Sequence, residues 1–127
     1  MKIIFFGLGG IGQRHLRNIR SILGEKVEII AFRERGLTQT VNPQLKIDEG
    51  VNFIEKYSVN VFTNLGEALD QNPSIAFICN PSSLHIKYAL EAAEKGCDIF
   101  IEKPLSNSLV GIEKLIKVCN EKNIISL

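Results

Sequence analysis

The sequence predicts a doubly wound α/β fold, in which helices cover both faces of a mostly parallel sheet. Apolar strand-like segments alternate with helical segments about five times along the chain. Residues 75–79 form an uninterrupted apolar run, which is typical of a strand buried on both faces. A glycine-rich turn follows the first strand and leads directly into a helix. Together these features predict a sheet of strand order 3-2-1-4-5-6.

The composition is that of one ordinary globular domain. The chain has 127 residues, of which 45% are hydrophobic and 23% are charged, and its formal net charge is +1. This balance gives no electrostatic reason to expect a nucleic acid or an anionic membrane as a partner. The apolar start is broken by glycines after six residues, so it indicates a first strand rather than a signal peptide. We expect a cytoplasmic protein without a membrane or nucleic-acid partner.

The cysteines and histidines do not form a metal site in the sequence. Cys79, Cys97 and Cys119 are an odd number without a C-x-x-C pair, which favours reduced thiols in the cytoplasm. Cys79 and Cys119 are expected in the core. His15 and His85 are far apart and no cysteine lies near either at ligand spacing, so zinc is not expected.

The glycine-rich turn is the main candidate binding site. Residues 3–6 form the preceding strand, and the turn itself consists of Gly7, Leu8, Gly9, Gly10, Ile11 and Gly12. Gly7, Gly9 and Gly12 fit the G-x-G-x-x-G spacing of a dinucleotide-binding turn. In such a turn the first glycine allows the sharp exit from the strand, the second lets a diphosphate approach the main chain, and the third lets the helix pack against the sheet. The diphosphate would bind free N–H groups at the helix N-terminus.

The helix after this turn is predicted to be amphipathic. Gly12, Leu16, Ile19 and Leu23 recur at helical spacing and predict its buried stripe. Gly24 is the signal for its C-terminus.

The second strand, residues 27–32, ends at charged residues that bear on the choice of dinucleotide. A site for NAD usually places an acidic residue near this point, and a site for NADP places an arginine near the 2′-phosphate. Arg33 and Arg35 favour NADP, because a guanidinium binds a phosphate in bidentate fashion. Glu34 weakens this preference, and solvated loop charges explain all three residues about equally well, so we expect NADP rather than NAD and leave NAD open.

The middle of the chain gives weaker patterns. Residues 36–46 are polar and predict a loop. Residues 48–57 predict a helix that buries Val51, Ile54 and Tyr57. A short strand over 59–62 and a helix over 65–70 follow, the latter capped by Asn64.

The second half repeats the strand and helix alternation. The strand at 75–79 stops at Asn80 and Pro81, and the helix at 84–95 follows. The strand at 98–102 leads to Lys103 and Pro104. The last helix is expected to begin at Ser106, and its predicted stripe consists of Leu109, Ile112, Ile116 and Cys119. Residues 124–127 begin another apolar run.

Three motifs resemble the N-terminal half of the Gfo/Idh/MocA oxidoreductases. They are G-L-G-G-I-G-Q-R-H at residues 7–15, C-N-P-S-S-L-H at 79–85 and I-E-K-P-L-S at 101–106. The E-K-P motif is far more discriminating than the glycines. The resemblance implies an NAD(P)-binding Rossmann domain of nicotinamide-dependent dehydrogenases and reductases. Enzymes of this family transfer hydride to or from small molecules such as sugars, inositols and nucleotide sugars.

The resemblance also implies roles for residues at the ends of the fourth and fifth strands. Lys103 is implied as catalytic, both Glu102 and Lys103 are implied as cofactor contacts, and Asn80, Pro81 and His85 are implied along the cofactor. Ligands of doubly wound sheets lie at the carboxyl ends of the strands, which is where Lys103 is expected. Side chains of neighbouring residues diverge in an extended chain, so Glu102 and Lys103 are not expected to pair.

Other interpretations of single residues remain open. Lys103 is alternatively an ordinary surface lysine. His15 and His85 are as well explained as capping or packing residues.

The sequence lacks the family's second half, with its aspartate and histidine residues and most of the substrate pocket. We therefore expect cofactor binding with little or no turnover, and exposed apolar surface that favours a homo-oligomer. A stand-alone nucleotide-binding or redox-sensing module is the alternative function, and it has no use for E-K-P. A cofactor-free scaffold is a third possibility, and the separate roles of Gly7, Gly9 and Gly12 in a dinucleotide-binding turn argue against it.

Overall fold

The computed structural model describes residues 1–34, 39–42, 44 and 46–127. The strands are β1 (Lys2–Phe6), β2 (Glu28–Phe32), β3 (Gln39–Val41), β4 (Ile47–Asn52), β5 (Val59–Phe62), β6 (Ile75–Ile78) and β7 (Asp98–Ile101). The α-helices are α1 (Gly10–Leu23), α2 (Phe53–Lys56), α3 (Leu65–Leu69), α4 (His85–Glu94) and α5 (Ile112–Lys122). Short 3₁₀ turns cover Gly24–Lys26 and Ser82–Leu84.

The central sheet has the predicted doubly wound order. Its five strands lie in the order β5-β2-β1-β6-β7, and each neighbouring pair is parallel. Ser126 forms a parallel bridge with Ile99 on the free side of β7. Counted along the chain, the strands of this sheet therefore follow the order 3-2-1-4-5, with the end of the chain in the sixth place. The α/β class and the strand order are both confirmed.

The sheet is buried on both faces because alternate side chains of each apolar strand enter different cores. On one face, Ile4 and Ile30 pack with residues of α3, α4 and α5. On the other face, Ile3 and Ile29 pack with Leu16 of α1 and with the start of α2. This arrangement explains why the strands lack polar alternation.

The helix predicted over residues 48–57 is wrong. Residues 47–52 instead form β4, which pairs antiparallel with β3. Gly50 has φ +76°, in the left-handed region, which a continuous helix cannot contain. The helix is reduced to α2, whose N–H of Ile54 is capped by the side-chain oxygen of Asn52 at 3.0 Å.

The predicted stripe of the last helix is partly wrong. The helix begins at Ile112, because Gly111 has φ +86° and residues 107–111 form turns and bends. Leu109 is 86% exposed and lies before the helix, and Ile116 is 55% exposed. The buried residues of α5 are Leu115, Val118 and Cys119.

Three remaining predictions concern exposure. Leu23 is 36% exposed, so it does not complete the buried stripe of α1 that Gly12 and Leu16 form. All three cysteines are free and buried, which agrees with the core positions expected for two of them. Among the described residues no helix combines the length and the hydrophobicity needed to cross a bilayer.

Candidate functional site

Three turns meet where β1, β6 and β7 end. We call them the glycine turn (residues 7–12), the Asn80 turn (79–81) and the Lys103 turn (102–104). The N–H of Cys79 donates to the carbonyl of Phe6 at 2.8 Å, and the N–H of Glu102 donates to the carbonyl of Ile78 at 3.0 Å. These bonds continue the parallel pairing beyond the strands, so the three turns lie side by side at the carboxyl edge of the sheet.

The glycine turn requires glycine at two positions because main chain packs against it. Gly7 has φ +95°, and a Cβ there would lie 2.7 Å from the main-chain nitrogen of Asn80. A Cβ on Gly12 would lie 2.2 Å from the carbonyl oxygen of Gly7. Gly9 differs, because nothing lies within 4 Å of the corresponding position. The turn is closed to side chains at its two ends and open in the middle.

The open position lies at the N-terminus of α1. The first helical hydrogen bond joins the N–H of Gln13 to the carbonyl of Gly9 at 2.9 Å. The N–H groups that precede it have no acceptor within the helix, and the helix dipole is positive at this end. No acidic residue lies in the first turn of α1. This end of the helix therefore suits an anion such as a diphosphate.

Gln13 holds the glycine turn in place. Its side chain is 1% exposed, and its Nε2 donates to the carbonyls of Leu8 at 3.0 Å and Gln39 at 2.8 Å. Its Oε1 accepts from the N–H of Val41 at 2.6 Å. Through these three hydrogen bonds, the buried amide of Gln13 joins the glycine turn to the β3–β4 hairpin.

A cleft of about 490 Å³ opens beside the glycine turn. It runs between this turn, the end of β2, the Asn80 turn and the first part of α4. The predicted residues that line it are Gly7, Leu8, Gly9, Arg33, Asn80 and Pro81. Lys103 and the two histidines do not line it. The structure thus brings the glycine and Asn80 turns into one cleft and places Lys103 on the neighbouring turn.

At the β2 end of the cleft a cation and an anion lie next to each other in sequence. The guanidinium of Arg33 lies 4.9 Å from the ring centroid of Phe53, and burial lowers the pKa of Arg33. The carboxylate of Glu34 accepts from the hydroxyl of Tyr88 at 2.5 Å. Burial and this hydrogen bond raise the pKa of Tyr88 to about 12. Arg35 lies outside the described residues.

The Asn80 turn contains an unsatisfied polar atom. The side-chain oxygen Oδ1 of Asn80 is buried and has no hydrogen-bond partner in the structure. Buried acceptors in proteins are nearly always paired. Pro81, which follows, is exposed at the cleft wall.

The Lys103 turn is held by the carboxylate of Glu102. Its Oε1 lies 2.5 Å from Nε2 of His15, and its Oε2 accepts from the main-chain N–H of Lys103 at 3.2 Å. The hydrogen bond from His15 is the main reason why the pKa of Glu102 is lowered. Among the ion pairs of the described residues, Glu102 pairs with His15 and not with the amine of Lys103, which is exposed.

His15 itself packs between aromatic rings. Its ring centroid lies 5.0 Å from that of Phe100 and 5.7 Å from that of Phe77. These contacts and the bond to Glu102 connect α1 directly to the turn that carries Lys103.

Reasoning from the sequence missed two residues of the site. Gln13 follows Gly12 on a helix face that was predicted apolar, and a polar residue beside that stripe was the available signal. Tyr88 lines the cleft and binds Glu34 across 54 positions of sequence. No local pattern indicates that pairing. Within the described part of the chain, no cluster of three or more potential ligands suits a metal ion.

This fold and this turn define the class of the domain as a dinucleotide-binding type of Rossmann domain. The chain belongs to the Gfo/Idh/MocA family: the family model described as "Oxidoreductase family, NAD-binding Rossmann fold" matches residues 1–127. The resemblance seen in the three sequence motifs is therefore confirmed.

Named relatives place the chain in the same group. It is 33% identical over 112 residues to scyllo-inositol 2-dehydrogenase (NAD(+)) of Bacillus subtilis, covering 86% of this chain and 29% of the relative. It is 27% identical over 129 residues to 4-carboxy-2-hydroxymuconate-6-semialdehyde dehydrogenase of a Sphingobium species, covering 100% of this chain and 37% of the relative. The chain thus spans about a third of the length of these relatives.

A solved structure shows the same fold. The WlbA dehydrogenase of Bordetella pertussis, in complex with NADH and UDP-GlcNAcA, superposes with a TM-score of 0.73 at 22% identity. The match covers 98% of this chain and 35% of that one.

Proposed function

We propose that this chain is the cofactor-binding domain of a nicotinamide-dependent oxidoreductase, and that the glycine turn holds the diphosphate of the dinucleotide. One observation carries the proposal. Main chain closes the turn at Gly7 and Gly12, whereas Gly9 is open beside unpaired N–H groups of α1. A flexible glycine linker does not require this pattern, but a cradle for a phosphate group does.

The remaining cofactor contacts are proposed for residues around the three turns. Leu8, Gly10 and Ile11 belong to the glycine turn, and Asn80 and Pro81 form the opposite wall of the cleft. The unpaired Oδ1 of Asn80 gives the site an acceptor for a hydroxyl or amide N–H of the ligand. Glu102 and Lys103 follow at the far end of the same edge.

We also propose a preference for NADP over NAD. Arg33 lines the cleft directly after β2, where its guanidinium can pair with a 2′-phosphate. Arg35 is proposed to assist it. Glu34 acts in the opposite direction, because its carboxylate lines the same cleft and repels a phosphate. The hydrogen bond from Tyr88 holds the carboxylate of Glu34 in one place, so its repulsion of a 2′-phosphate is fixed. The preference for NADP therefore depends on how closely the guanidinium of Arg33 approaches that phosphate.

The proposed chemistry is hydride transfer, which the nicotinamide ring supplies when it is bound. Lys103 is proposed to hold or accept the proton at the hydroxyl or carbonyl oxygen of the substrate. The substrate class proposed is a sugar, an inositol or a nucleotide sugar, which the names of the relatives and the solved complex support.

Three further proposals concern the chain as a whole. We assign proton transfer to Lys103 alone, an exposed residue after β7, and we therefore propose binding without appreciable turnover by these 127 residues alone. Leu109, Val110 and Leu127 are each at least 80% exposed and support self-association. Three free, buried thiols support a cytoplasmic location.

Calorimetric titration with NADH and NADPH tests the binding proposal. We expect both to bind, NADPH more tightly, and we expect Arg33→Gln to weaken NADPH more than NADH. Lys26→Gln is the matched control, because it removes a positive charge at the opposite edge of the sheet. If neither dinucleotide binds at millimolar concentration, the proposal is wrong. Equal losses in the Arg33 and Lys26 variants would instead remove the NADP preference.

A further inference from the structure

The Lys103 turn makes few hydrogen bonds of its own. After Glu102, the main chain of residues 103–105 makes two hydrogen bonds. The N–H of Lys103 donates to the carboxylate of Glu102, and the carbonyl oxygen of Pro104 lies 3.0 Å from Nδ1 of His85. No ladder bond of the sheet reaches these residues, because the last one ends on the N–H of Glu102. The place of Lys103 therefore depends on side chains at both sides of the turn.

His85 joins this turn to the Asn80 turn. It is the first residue of α4, and its side chain is 2% exposed. Its Nδ1 lies 3.0 Å from the carbonyl oxygen of Pro104, and its Nε2 lies 2.7 Å from the carbonyl oxygen of Asn80. Both partners are acceptors only, so whichever nitrogen carries the proton donates to one of the two turns.

We propose that His85 is a positioning residue for Lys103. By donating to one of the carbonyls of Asn80 and Pro104 and lying against the other, the ring sets the distance between the cleft wall and the turn that carries the amine. This inference rests on the proposed function, because it takes Lys103 as the group that meets the reacting end of the cofactor. It differs from the role implied by the family resemblance, in which His85 lies along the cofactor.

Two observations favour positioning over direct contact. The ring is buried and does not line the cleft, and both of its nitrogens already face main-chain carbonyls. For a ring nitrogen to meet the cofactor, the ring would have to turn out of its buried place between the two carbonyls and give up the hydrogen bond of its N–H. The cost of a buried polar group without a partner opposes that exchange.

The packing of α4 also distinguishes positioning from simple core filling. Neighbours of His85 on this helix, such as Ile86 and Ala89, are apolar core residues. The imidazole differs from them in carrying an N–H group, and a main-chain carbonyl lies within hydrogen-bond distance of each of its nitrogens.

Nuclear magnetic resonance of this chain tests the inference without requiring turnover. The protein is labelled with lysine carrying ¹³C at Cε, and the signal of Lys103 is identified as the one lost in Lys103→Arg. In the unsubstituted chain we expect that signal to shift on saturation with NADH. In His85→Ala we expect NADH to bind within about threefold of the original affinity, and the shift of Lys103 to fall by at least about half.

Two further variants make the result interpretable. His85→Gln keeps a side-chain N–H donor for one carbonyl but loses the ring that lies between the two carbonyls, so we expect an intermediate shift, and this variant decides the question if His85→Ala does not fold. Cys97→Ala is the matched control. It removes another buried side-chain bond to main chain, from Sγ of Cys97 to the carbonyl of Pro73, next to the start of β7 and so at the end of that strand opposite the Lys103 turn. It is expected to leave the shift of Lys103 intact.

The outcomes separate the two proposals. A full shift of Lys103 in the folded His85 variants would overturn the positioning role and leave the proposed function standing. Loss of the shift in Cys97→Ala as well would also overturn it, since any loss of buried bonding would then suffice. No NADH binding would remove the proposed function and this inference with it. Binding without a response of Lys103 in the unsubstituted chain would remove the role proposed for Lys103, and with it this inference, and leave the binding proposal standing.

Discussion

The two edges of the central sheet differ in how their polar groups are satisfied. At the amino edge lies the larger depression, of about 720 Å³, against about 490 Å³ for the cleft at the carboxyl edge. Two of its cationic side chains, Arg20 and Lys2, are paired. Arg20 donates to the carbonyls of Val27 at 2.7 Å and Tyr57 at 2.8 Å, and Lys2 pairs with Glu28 at 3.3 Å.

The carboxyl edge keeps binding capacity that its own residues do not use. The N–H groups at the start of α1 lack helical acceptors, Oδ1 of Asn80 has no partner, and the space beside Gly9 is open. Buried side chains such as Gln13 and His85 contact main-chain carbonyls next to these unpaired groups and hold the main chain in place. From this comparison we infer that unsatisfied donors and acceptors on a fixed main chain, rather than cavity volume, mark the proposed site.

The largest effect that follows from this contrast is on stability at Gly12. We expect Gly12→Ala to lower the free energy of unfolding by roughly 3 kcal/mol, because its Cβ would lie 2.2 Å from the carbonyl oxygen of Gly7 and main chain must move. Urea denaturation measures this. Gly24→Ala is less suitable as a control because Gly24 has φ +60°, whereas Gly9→Ala meets nothing within 4 Å and should stay within about 1 kcal/mol. Equal stability of both variants would contradict the closed turn.

The next effect concerns binding alone. Gly9→Val should fold, since Gly9 has φ −71° and lies beside open space, but its side chain fills the proposed phosphate position. We expect the affinity for NADH to fall by about tenfold or more, measured by calorimetry. Unchanged affinity in this folded variant would show that the diphosphate binds elsewhere.

At the amino edge we expect the reverse combination. Arg20→Met keeps the apolar stem but removes the guanidinium bonds to the carbonyls of Val27, Tyr57 and Gly24. The free energy of unfolding should fall by about 1–3 kcal/mol, while the affinity for NADH stays the same. A strong loss of NADH affinity in this folded variant would indicate that the dinucleotide binds at the amino edge instead.

The smallest expected effect is the reactivity of two cysteines, one at each edge of the sheet, towards a thiol reagent. Burial raises the pKa of Cys79, at the carboxyl edge, to about 12, and that of Cys97, at the amino edge, to about 11. Glu102 adds to the shift at Cys79. Both thiols are therefore almost fully protonated at pH 8, and since the thiolate is the reactive form we expect no appreciable reaction with an aromatic disulfide reagent until urea unfolds the chain. Rapid labelling of Cys79 in the folded protein would show that the cleft wall opens.

The sequence was sufficient to predict the elements that depend on local patterns. Buried strands such as β1 and β6 are continuous apolar runs, and the spacing of Gly7, Gly9 and Gly12 defines the turn. The helix predicted over residues 48–57 is wrong because residues 47–52 pair with the short strand β3. The spacing of apolar residues alone does not reveal such an antiparallel pairing.

The internal contacts of the site could not be predicted for a related reason. His15 and Glu102 are 87 positions apart, and His85 and Pro104 are 19 apart. Each contact exists only because the parallel sheet brings its strand ends together. The sequence indicated which residues lie at the carboxyl edge, and the fold determines which of them bind each other.

The central claim is that the dinucleotide lies along the carboxyl edge, with its diphosphate at the glycine turn and its reactive ring beside Lys103. A crystal structure of this chain with NADH tests it most directly. We predict phosphate oxygens within hydrogen-bond distance of N–H groups of residues 10–12, and the nicotinamide ring next to the side chain of Lys103. NADH bound in the depression near Arg20, or with its nicotinamide ring remote from Lys103, would contradict the claim.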